Sequence, residues 1–163
     1  MRQAYLSIGS NIDRERNVRF AMVELRERWP SMVFSTIYET EAVGFEGEHF
    51  YNLVAAFHAD EPLESVLETL REVEDAHGRD RSGQEKFAPR TLDLDLLLWG
   101  DTVTDGDPVP LPRDEILELD FVLYPLVELA PEARHPVDGR TFRELWGEFD
   151  GAHSILRAVS LDV

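Results

Sequence analysis

The N-terminal residues carry the pattern of a strand followed by a helix. Residues 3–8, QAYLSI, alternate apolar and polar side chains with the two-residue period of a half-buried strand, and the turn GSN at 9–11 ends the alternation. The apolar residues that follow recur at helical spacing: Val18, Ala21, Met22, Leu25 and Trp29. Because Pro30 disfavours further helix, the pattern predicts a strand, a tight turn and an amphipathic helix that ends there.

Two more strands and a second helix are indicated between residues 32 and 78. Met32–Thr40 and Phe50–Ala59 are rich in β-branched and aromatic residues and are joined by the loop EAVGFEGEH. Pro62 stands where a helix can begin, and an apolar stripe then runs as far as Gly78. Its members are Leu63, Val66, Leu67, Leu70 and Val73. The stripe predicts a second core-facing helix.

The stretch PRTLDLDLLLWG, residues 89–100, predicts a fourth strand. In a regular strand Asp93 and Asp95 point to one face, while the other face carries the core leucines: Leu92, Leu94, Leu96 and Leu98. Residues 79–90 have no apolar period and predict a long loop. After Gly100 a segment rich in Pro, Gly and Asp precedes FVLYPLVELAP and TFRELWGEF, which predict short helices near the C-terminus.

The order of these elements, β, α, β, β, α, β, predicts an α+β fold on the ferredoxin-like split βαβ plan. Such a fold has a mostly antiparallel sheet with helices packed on it, here extended by short C-terminal helices. A doubly wound parallel sheet fits less well, because the second and third strands are joined by a loop of hairpin length. The 163 residues contain no interdomain linker, so we expect a single domain over residues 1–163.

Composition narrows the classes of function. The chain has no cysteine, which excludes disulfides, thiolate metal sites and thiol catalysis. The N-terminus lacks the pattern of a secretory signal, and no apolar run approaches the roughly 20 residues that span a bilayer. A cytoplasmic protein without a membrane partner is therefore expected.

The charge limits the partners further. With 33 acidic and 16 basic residues the formal net charge is −17, which repels nucleic acid and anionic membranes. We therefore expect small-molecule substrates and no nucleic acid, with a monomer as the default state. The acidity fits either a high-salt cytoplasm or ordinary acidity, and both interpretations stay open.

Asp93 and Asp95 are the first candidates for chemistry. Their shared face places the two Cα atoms roughly 6.5–7 Å apart, so both carboxylates can approach one cation. Hard cations such as Mg²⁺ bind carboxylate oxygens, and two such ions can clamp a phosphoryl group. The alternative is a solvated strand face, although aspartate is depleted in strands and neighbouring like charges repel.

The loop before these aspartates is unusually basic for so acidic a chain. GRDRSGQEKFAPR contains Arg79, Arg81, Lys86 and Arg90. Arginine forks match phosphate oxygens and lysine supplies a point charge, so a basic loop beside a carboxylate pair favours a polyphosphate bridged by metal. The alternative is a solvated loop whose cations pair with its own acidic residues.

Six stretches together resemble one known family. They are YLSIGSN (5–11), YETEAVG (38–44), FYN (50–52), GRDR (78–81), PRTLDLDLLLWG (89–100) and FVLYPLVELAP (121–131). In this order, over residues 4–135, they resemble the 6-hydroxymethyl-7,8-dihydropterin pyrophosphokinases of folate biosynthesis. The resemblance implies a ferredoxin-like α+β domain that transfers diphosphate from ATP to the pterin hydroxymethyl group and releases AMP. It also implies that Asp93 and Asp95 hold two Mg²⁺ ions that bridge the ATP phosphates.

The resemblance assigns further roles by position. Asp93 and Asp95 are the implied metal ligands, and the implied catalytic residues are these two with Arg81 and Arg90. The implied ATP contacts are Glu74, Arg79, Arg81, Lys86, Arg90, Leu96 and Arg113. The implied pterin contacts are Asn11, Thr40, Val43, Phe50, Asn52 and Phe121.

Four positions depart from the family pattern. Glu41 and Ala42 stand where the family has proline, which leaves this loop less stiff and more acidic. Arg113 occupies the place of a histidine, which it can replace as a phosphate contact, whereas Leu119 occupies the place of an arginine and cannot replace it. Two alternatives to the active enzyme therefore stay open. One is a drifted paralogue that acts weakly or on another pterin-like alcohol, and the other is a non-catalytic pterin- or nucleotide-binding domain.

Overall fold

A six-stranded sheet forms the centre of the protein in the computed structural model, which describes residues 2–77 and 92–161. The elements in chain order are β1 (Arg2–Ser10), α1 (Arg14–Arg28), β2 (Val33–Phe34), β3 (Ile37–Thr40), β4 (Phe50–Ala59), α2 (Leu63–His77), β5 (Asp93–Trp99), α3 (Glu115–Glu118), α4 (Asp120–Leu129), α5 (Phe142–Gly147) and β6 (Ile155–Val159). The strand order is β5-β1-β4-β3-β6, with β2 beside β4, and all pairings between these strands are antiparallel. This order confirms the predicted α+β plan.

Two strands differ from the prediction. The strand predicted over Met32–Thr40 is two pieces, β2 and β3, which both pair with β4. Between them the Ser35 hydroxyl accepts from the Val54 N–H at 2.9 Å, in place of the carbonyl that a continuous ladder would offer. The second difference is β6, which the sequence pattern did not predict and which pairs with β3 at the edge of the sheet.

Helices cover both faces of the sheet. α1 and α2 lie on one face, where the predicted stripe of α1 from Val18 to Trp29 is buried. α4 and α5 lie on the other face, where Leu126 and Phe142 pack near Val54 of β4. Complete burial of side chains of this size contributes about 1.5–3 kcal/mol each, so apolar contact fixes both helical layers. Within residues 2–77 and 92–161, no helix is long and apolar enough to cross a membrane.

A β-bulge interrupts the alternation of β5. Tyr5 of β1 pairs with Leu98 and the next residue, Leu6, pairs with Leu96, so Leu97 is an extra residue in β5. Leu92, Leu94 and Leu96 face α1 and α2 as predicted. The prediction that Leu98 shares their face is wrong, because the bulge shifts the two-residue period and places both Leu97 and Leu98 on the side of α4.

A buried histidine organises the turn between α4 and α5. His135 is 4% exposed, and its Nδ1 accepts from the N–H groups of Val137 at 3.2 Å and Asp138 at 3.0 Å. Burial lowers the pKa of His135 below its ordinary value of 6.5, against the weaker opposing effect of Asp138. The folded state therefore favours the neutral ring. Thr141 then begins α5 with a capping box that it shares with Glu144.

Acid should destabilise the fold through His135. Above its ordinary pKa of 6.5 the ring is neutral in the folded and the unfolded chain, so its stabilising contribution is fully present. Below that pH the unfolded chain binds a proton that the folded chain excludes, and the contribution is lost. We expect the free energy of unfolding to fall more steeply between about pH 7 and pH 5 in the wild type than in His135→Asn, whose side-chain oxygen accepts hydrogen bonds without titrating.

Urea unfolding at each pH measures both slopes. His58→Asn, at an exposed position, is the control and should leave the slope unchanged. Equal slopes for the wild type and His135→Asn would contradict the prediction.

Candidate active site

A cavity of about 360 Å³ lies between the sheet and the layer formed by α3 and α4, and we call it the aromatic pocket. Its lining residues are Ser7, Gly9, Glu41, Val43, Phe45, Phe50, Asn52, Asp93, Asp95, Leu97, Glu115, Glu118, Leu119, Phe121 and Val122. Four of the predicted pterin contacts and both predicted metal ligands are among them. The structure thus brings two separately predicted groups of residues into one cavity.

Aromatic side chains from two layers line this pocket. Phe50 begins β4, and it meets Phe45 of the preceding loop edge to face, with ring centroids 6.2 Å apart and an angle of 82° between the rings. Phe121 comes from α4, which covers this face of the sheet. Ring faces supplied by separate elements suit a flat heterocycle.

The Asn52 amide is a buried polar group in the lining of the pocket. Asn52 is 6% exposed, and its Nδ2 donates to the hydroxyl of the fully buried Thr40 at 2.8 Å. Gly9 lies opposite Asn52 in the β1–β4 ladder, and a Cβ at position 9 would lie only 2.4 Å from Asn52 Oδ1. Because only glycine permits this approach, Gly9 and Thr40 together hold the amide in one orientation.

The two aspartates lie in the N-terminal half of β5, where both face residues of β1. Asp93 lies opposite Gly9, and Asp95 lies opposite Ser7. The Asp95 side chain is 49% exposed and its Oδ1 lies 3.7 Å from Arg113 Nη2. The Arg113 Nε also donates to Glu115 Oε2 at 2.9 Å, so Glu115 fixes the guanidinium beside Asp95.

A smaller cavity of about 180 Å³ lies at the outer edge of β5, and we call it the edge cavity. Three of the predicted ATP contacts line it, namely Glu74, Leu96 and Arg113. The Glu74 carboxylate is buried and accepts from the Leu94 N–H at 2.8 Å, which satisfies a backbone donor of the edge strand. Asp95 lines both cavities, so its carboxylate stands between them.

The aromatic pocket is strongly acidic. Its lining contains the carboxylates of Glu41, Asp93, Asp95, Glu115 and Glu118. Carboxylates that share a cavity repel one another, and a cation relieves that repulsion. Among the described residues there is no group of three or more His, Asp or Glu arranged to enclose a metal. The Asp93–Asp95 pair instead resembles a Mg²⁺ site, in which one or two carboxylates share the ion with substrate phosphates and water.

Several predicted residues lie outside the two cavities. Asn11 lines a separate groove with Arg14 and His49, and its Nδ2 donates to Glu48 O at 3.4 Å. Thr40 lies behind Asn52 and contacts the site through it. Four predicted residues lie outside the described part of the chain: Arg79, Arg81, Lys86 and Arg90.

Sequence reasoning missed other residues of the aromatic pocket. Phe45, Glu115 and Glu118 line it, and Glu115 also orients Arg113. Phe45 lies in a loop and the two glutamates lie in a short helix, so no periodicity marked them. The only available signal for Glu115 was its position two residues after Arg113 in an otherwise acidic segment.

The family model for 7,8-dihydro-6-hydroxymethylpterin-pyrophosphokinase matches residues 5–131. The chain is 34% identical over 149 residues to the 2-amino-4-hydroxy-6-hydroxymethyldihydropteridine pyrophosphokinase of Pseudomonas aeruginosa, covering 89% of this chain and 90% of that protein. The protein of the same name from Aquifex aeolicus is 32% identical over 146 residues, covering 88% and 90% of the two chains.

Solved structures agree on the fold. Wild-type HPPK-DHPS of Plasmodium falciparum matches with a TM-score of 0.66 at 15% identity, over 91% of this chain and 44% of that one. This chain therefore spans less than half of that longer protein, and the likeness concerns the fold alone. The sequence matches decide the relationship, because they cover most of both chains in the bacterial pairs. The chain belongs to the 7,8-dihydro-6-hydroxymethylpterin-pyrophosphokinase family.

Proposed function

We propose that this chain transfers diphosphate from ATP to the hydroxymethyl group of 6-hydroxymethyl-7,8-dihydropterin, giving AMP and the pterin diphosphate used in folate biosynthesis. The observation that carries the proposal is the position of Asp95, which lines both the aromatic pocket and the edge cavity. A carboxylate in this position faces both substrates at once. Family membership supplies the reaction, and the bacterial relatives named above favour neither a drifted paralogue nor a non-catalytic domain.

The aromatic pocket takes the pterin. Phe50 and Phe121 contact the faces of the ring, and Val43 adds apolar surface at the rim. The Asn52 amide hydrogen-bonds the polar edge of the ring, with Thr40 acting through Asn52. Asn11 lies in the neighbouring groove and is not included among these contacts.

The edge cavity takes the nucleotide. Leu96 offers an apolar contact, Glu74 offers carboxylate oxygens, and Arg113 offers a permanent cation for phosphate. The segment that precedes β5 in the sequence supplies further positive charge for the phosphates. Its basic residues are Arg79, Arg81, Lys86 and Arg90. Diphosphate transfer depends mainly on in-line positioning and charge neutralisation, which these cations and the β5 carboxylates provide together.

Asp93 and Asp95 fit a Mg²⁺ site. They offer oxygen donors only, on one face of a strand, and Asp95 is half exposed toward space that phosphates can enter. A bound Mg²⁺ would neutralise phosphate charge and favour ionisation of the hydroxyl that attacks. The protein's own part is to hold the two carboxylates in register with the Asn52 amide through the β1 ladders.

Arg113 supplies charge where the family has histidine. Its backbone N–H donates to Leu97 O at 3.0 Å and its side chain is held by Glu115, so its position beside Asp95 is fixed at both ends. Leu119 contributes only apolar surface to the aromatic pocket. Position 119, where the family has an arginine, therefore carries no charge in this chain. We expect Arg113 to contribute a larger share of phosphate binding as a result.

The first prediction from this proposal concerns the product and the carboxylates. Mg-ATP with the pterin should yield AMP and no ADP, and chelation of Mg²⁺ with EDTA should stop the reaction. Asp95→Asn should lower kcat by more than about 100-fold, because loss of a metal ligand exceeds the roughly 10–100-fold cost of losing an outer partner. Chromatographic separation of the nucleotides identifies the product and measures the rate of AMP formation.

Asp101→Asn is the matched control, because Asp101 follows β5 at its other end and its side chain is 96% exposed. It should retain wild-type kcat. ADP as the product, or wild-type AMP formation by Asp95→Asn, would contradict the proposal.

The second prediction concerns the Asn52 amide. Gly9→Ala places a Cβ against Asn52 Oδ1, and Thr40→Val removes the hydroxyl that receives the amide N–H. Each change should raise the KM for pterin by about 10-fold, the equivalent of one lost hydrogen bond, while the KM for ATP stays within about 2-fold. Steady-state kinetics with each substrate varied in turn measures this separation.

Thr104→Val provides the comparison for Thr40→Val. The Thr104 hydroxyl also takes part in hydrogen bonding, but in the loop after β5, where it donates to Val109 O and accepts from the Leu111 N–H. This variant should leave the pterin KM unchanged. An unchanged pterin KM in both Gly9→Ala and Thr40→Val would remove Asn52 from the proposed contacts.

The third prediction concerns Arg113. Arg113→Ala should raise the KM for ATP by about 10–100-fold, the range for a lost hydrogen bond to a charged group, with little change in the KM for pterin. Arg113→His should restore most of the affinity. Arg143→Ala, which breaks an exposed ion pair with Glu132, is the control and should keep wild-type constants. Unaltered ATP kinetics in Arg113→Ala would contradict the role.

A further inference from the structure

The segment Gly151–Ile155 lies outside the residues that match the family model, and we call it the clasp. It contacts residues in the wall of the aromatic pocket. Its Ala152 N–H donates to Glu118 O at 3.1 Å, and Ala152 O accepts from the Asp120 N–H at 3.3 Å. Leu119 forms a parallel bridge with Ala152. Glu118 and Leu119 both line the aromatic pocket, so the clasp is joined to the wall that carries Phe121.

The Asp120 carboxylate makes the strongest of these contacts. Asp120 is 3% exposed, and its Oδ2 accepts from the N–H groups of Ser154 at 2.9 Å and Ile155 at 3.0 Å. Its Oδ1 is buried and has no hydrogen-bond partner among the described residues. Burying a carboxylate that is only partly satisfied is unfavourable. This partly satisfied carboxylate lies at the first residue of α4, directly before Phe121.

The clasp is also joined to the opposite wall. Ser154 O accepts from the Glu41 N–H at 3.0 Å, and Ile155 lies opposite Thr40 in the β3–β6 ladder. Glu41 lines the aromatic pocket, and Thr40 holds the Asn52 amide. A short path of hydrogen bonds thus runs from Asp120 through Ser154 to the wall that carries the polar pterin contact.

Gly151 permits the close approach of the clasp. A Cβ at position 151 would lie 2.4 Å from Glu118 O and 2.6 Å from the Phe149 ring. A side chain here would push the clasp away from the start of α4. Gly147, four residues earlier, has open space around it and tolerates a Cβ.

We infer that the clasp sets the separation between the two walls of the aromatic pocket, and that Asp120 is the positioning residue that holds the clasp in place. Asp120 touches no substrate in this assignment; it acts through Ser154 on Glu41 and through α4 on Phe121. The inference rests on the proposed function, because the pocket that the clasp shapes is the proposed pterin site. It adds residues beyond 131 to the determinants of substrate recognition.

Direct binding tests the inference. The probes are 6-hydroxymethyl-7,8-dihydropterin, titrated in the presence of Mg²⁺ and a non-hydrolysable ATP analogue, and that analogue alone. Asp120→Ala leaves two backbone N–H groups without their acceptor, so we expect the pterin Kd to rise at least about 10-fold. The analogue Kd should stay within about 2-fold, because no clasp residue lines the edge cavity. Asp120→Asn keeps an acceptor oxygen of the same shape and should bind pterin within about 3-fold of the wild type.

Two controls separate positioning from stability. Thr141→Ala removes the α5 cap, which should lower the melting temperature without changing the pterin Kd. Gly151→Ala should weaken pterin binding as Asp120→Ala does, whereas Gly147→Ala should not. If Asp120→Ala does not fold, the comparison of Gly151→Ala with Gly147→Ala tests whether the clasp positions the pocket walls.

Three results would overturn the inference. The first is wild-type pterin affinity in folded Asp120→Ala, or in Gly151→Ala where the alanine variant at 120 is unfolded. The second is an equal loss of pterin affinity in Thr141→Ala. The third is absence of pterin binding by the wild type, which would contradict the proposed function as well. The first two results would contradict only the inference about the clasp.

Discussion

The pairing of β1 with two neighbours at once is the constraint on which the site depends. Gly9 lies opposite Asn52 in one ladder and opposite Asp93 in the other. Adjacent strands lie about 4.8 Å apart, so backbone hydrogen bonds alone place the amide and the carboxylate within reach of one small molecule. Gly9 also lacks the side chain that would displace the Asn52 amide. The polar groups of the site are therefore positioned by the sheet before any ligand binds.

Charge divides the site into two parts. The aromatic pocket is lined by carboxylates, while the edge cavity contains Arg113 and lies beside the strand that follows the basic segment. Asp95 belongs to both cavities and is paired with Arg113 at 3.7 Å. The two opposite charges lie side by side, one shared with the aromatic pocket and the other in the edge cavity. This separation suits a reaction between a neutral heterocycle and a polyphosphate.

The sequence predicted most of the fold, and several of the candidate residues that it singled out line one cavity of the structure. Apolar residues at helical spacing identified both long helices, and the acidic alternation of β5 singled out Asp93 and Asp95. Features that depend on contacts distant in sequence were not predictable. The bulge at Leu97 depends on pairing with Tyr5 and Leu6, and three successive leucines give no sign of it.

The same limit applies to β6 and to Glu115. Ile155–Val159 carries no clear alternation, because it is a short edge strand whose middle residues are exposed. Glu115 shares no period with other apolar or acidic positions, and only folding brings it to Arg113. The basic segment remains a prediction, since Arg79, Arg81, Lys86 and Arg90 lie outside the described residues.

The clasp and β6 lie beyond the residues that match the family model. A fragment that ends at residue 131 would keep Asn52, Asp93, Asp95 and Phe121. It would lose β6, leaving β3 as an unprotected sheet edge that is open to pairing with other chains. Such a fragment would carry every signature of the family and would still be expected to aggregate. The family match therefore covers a shorter part of the chain than the complete sheet does.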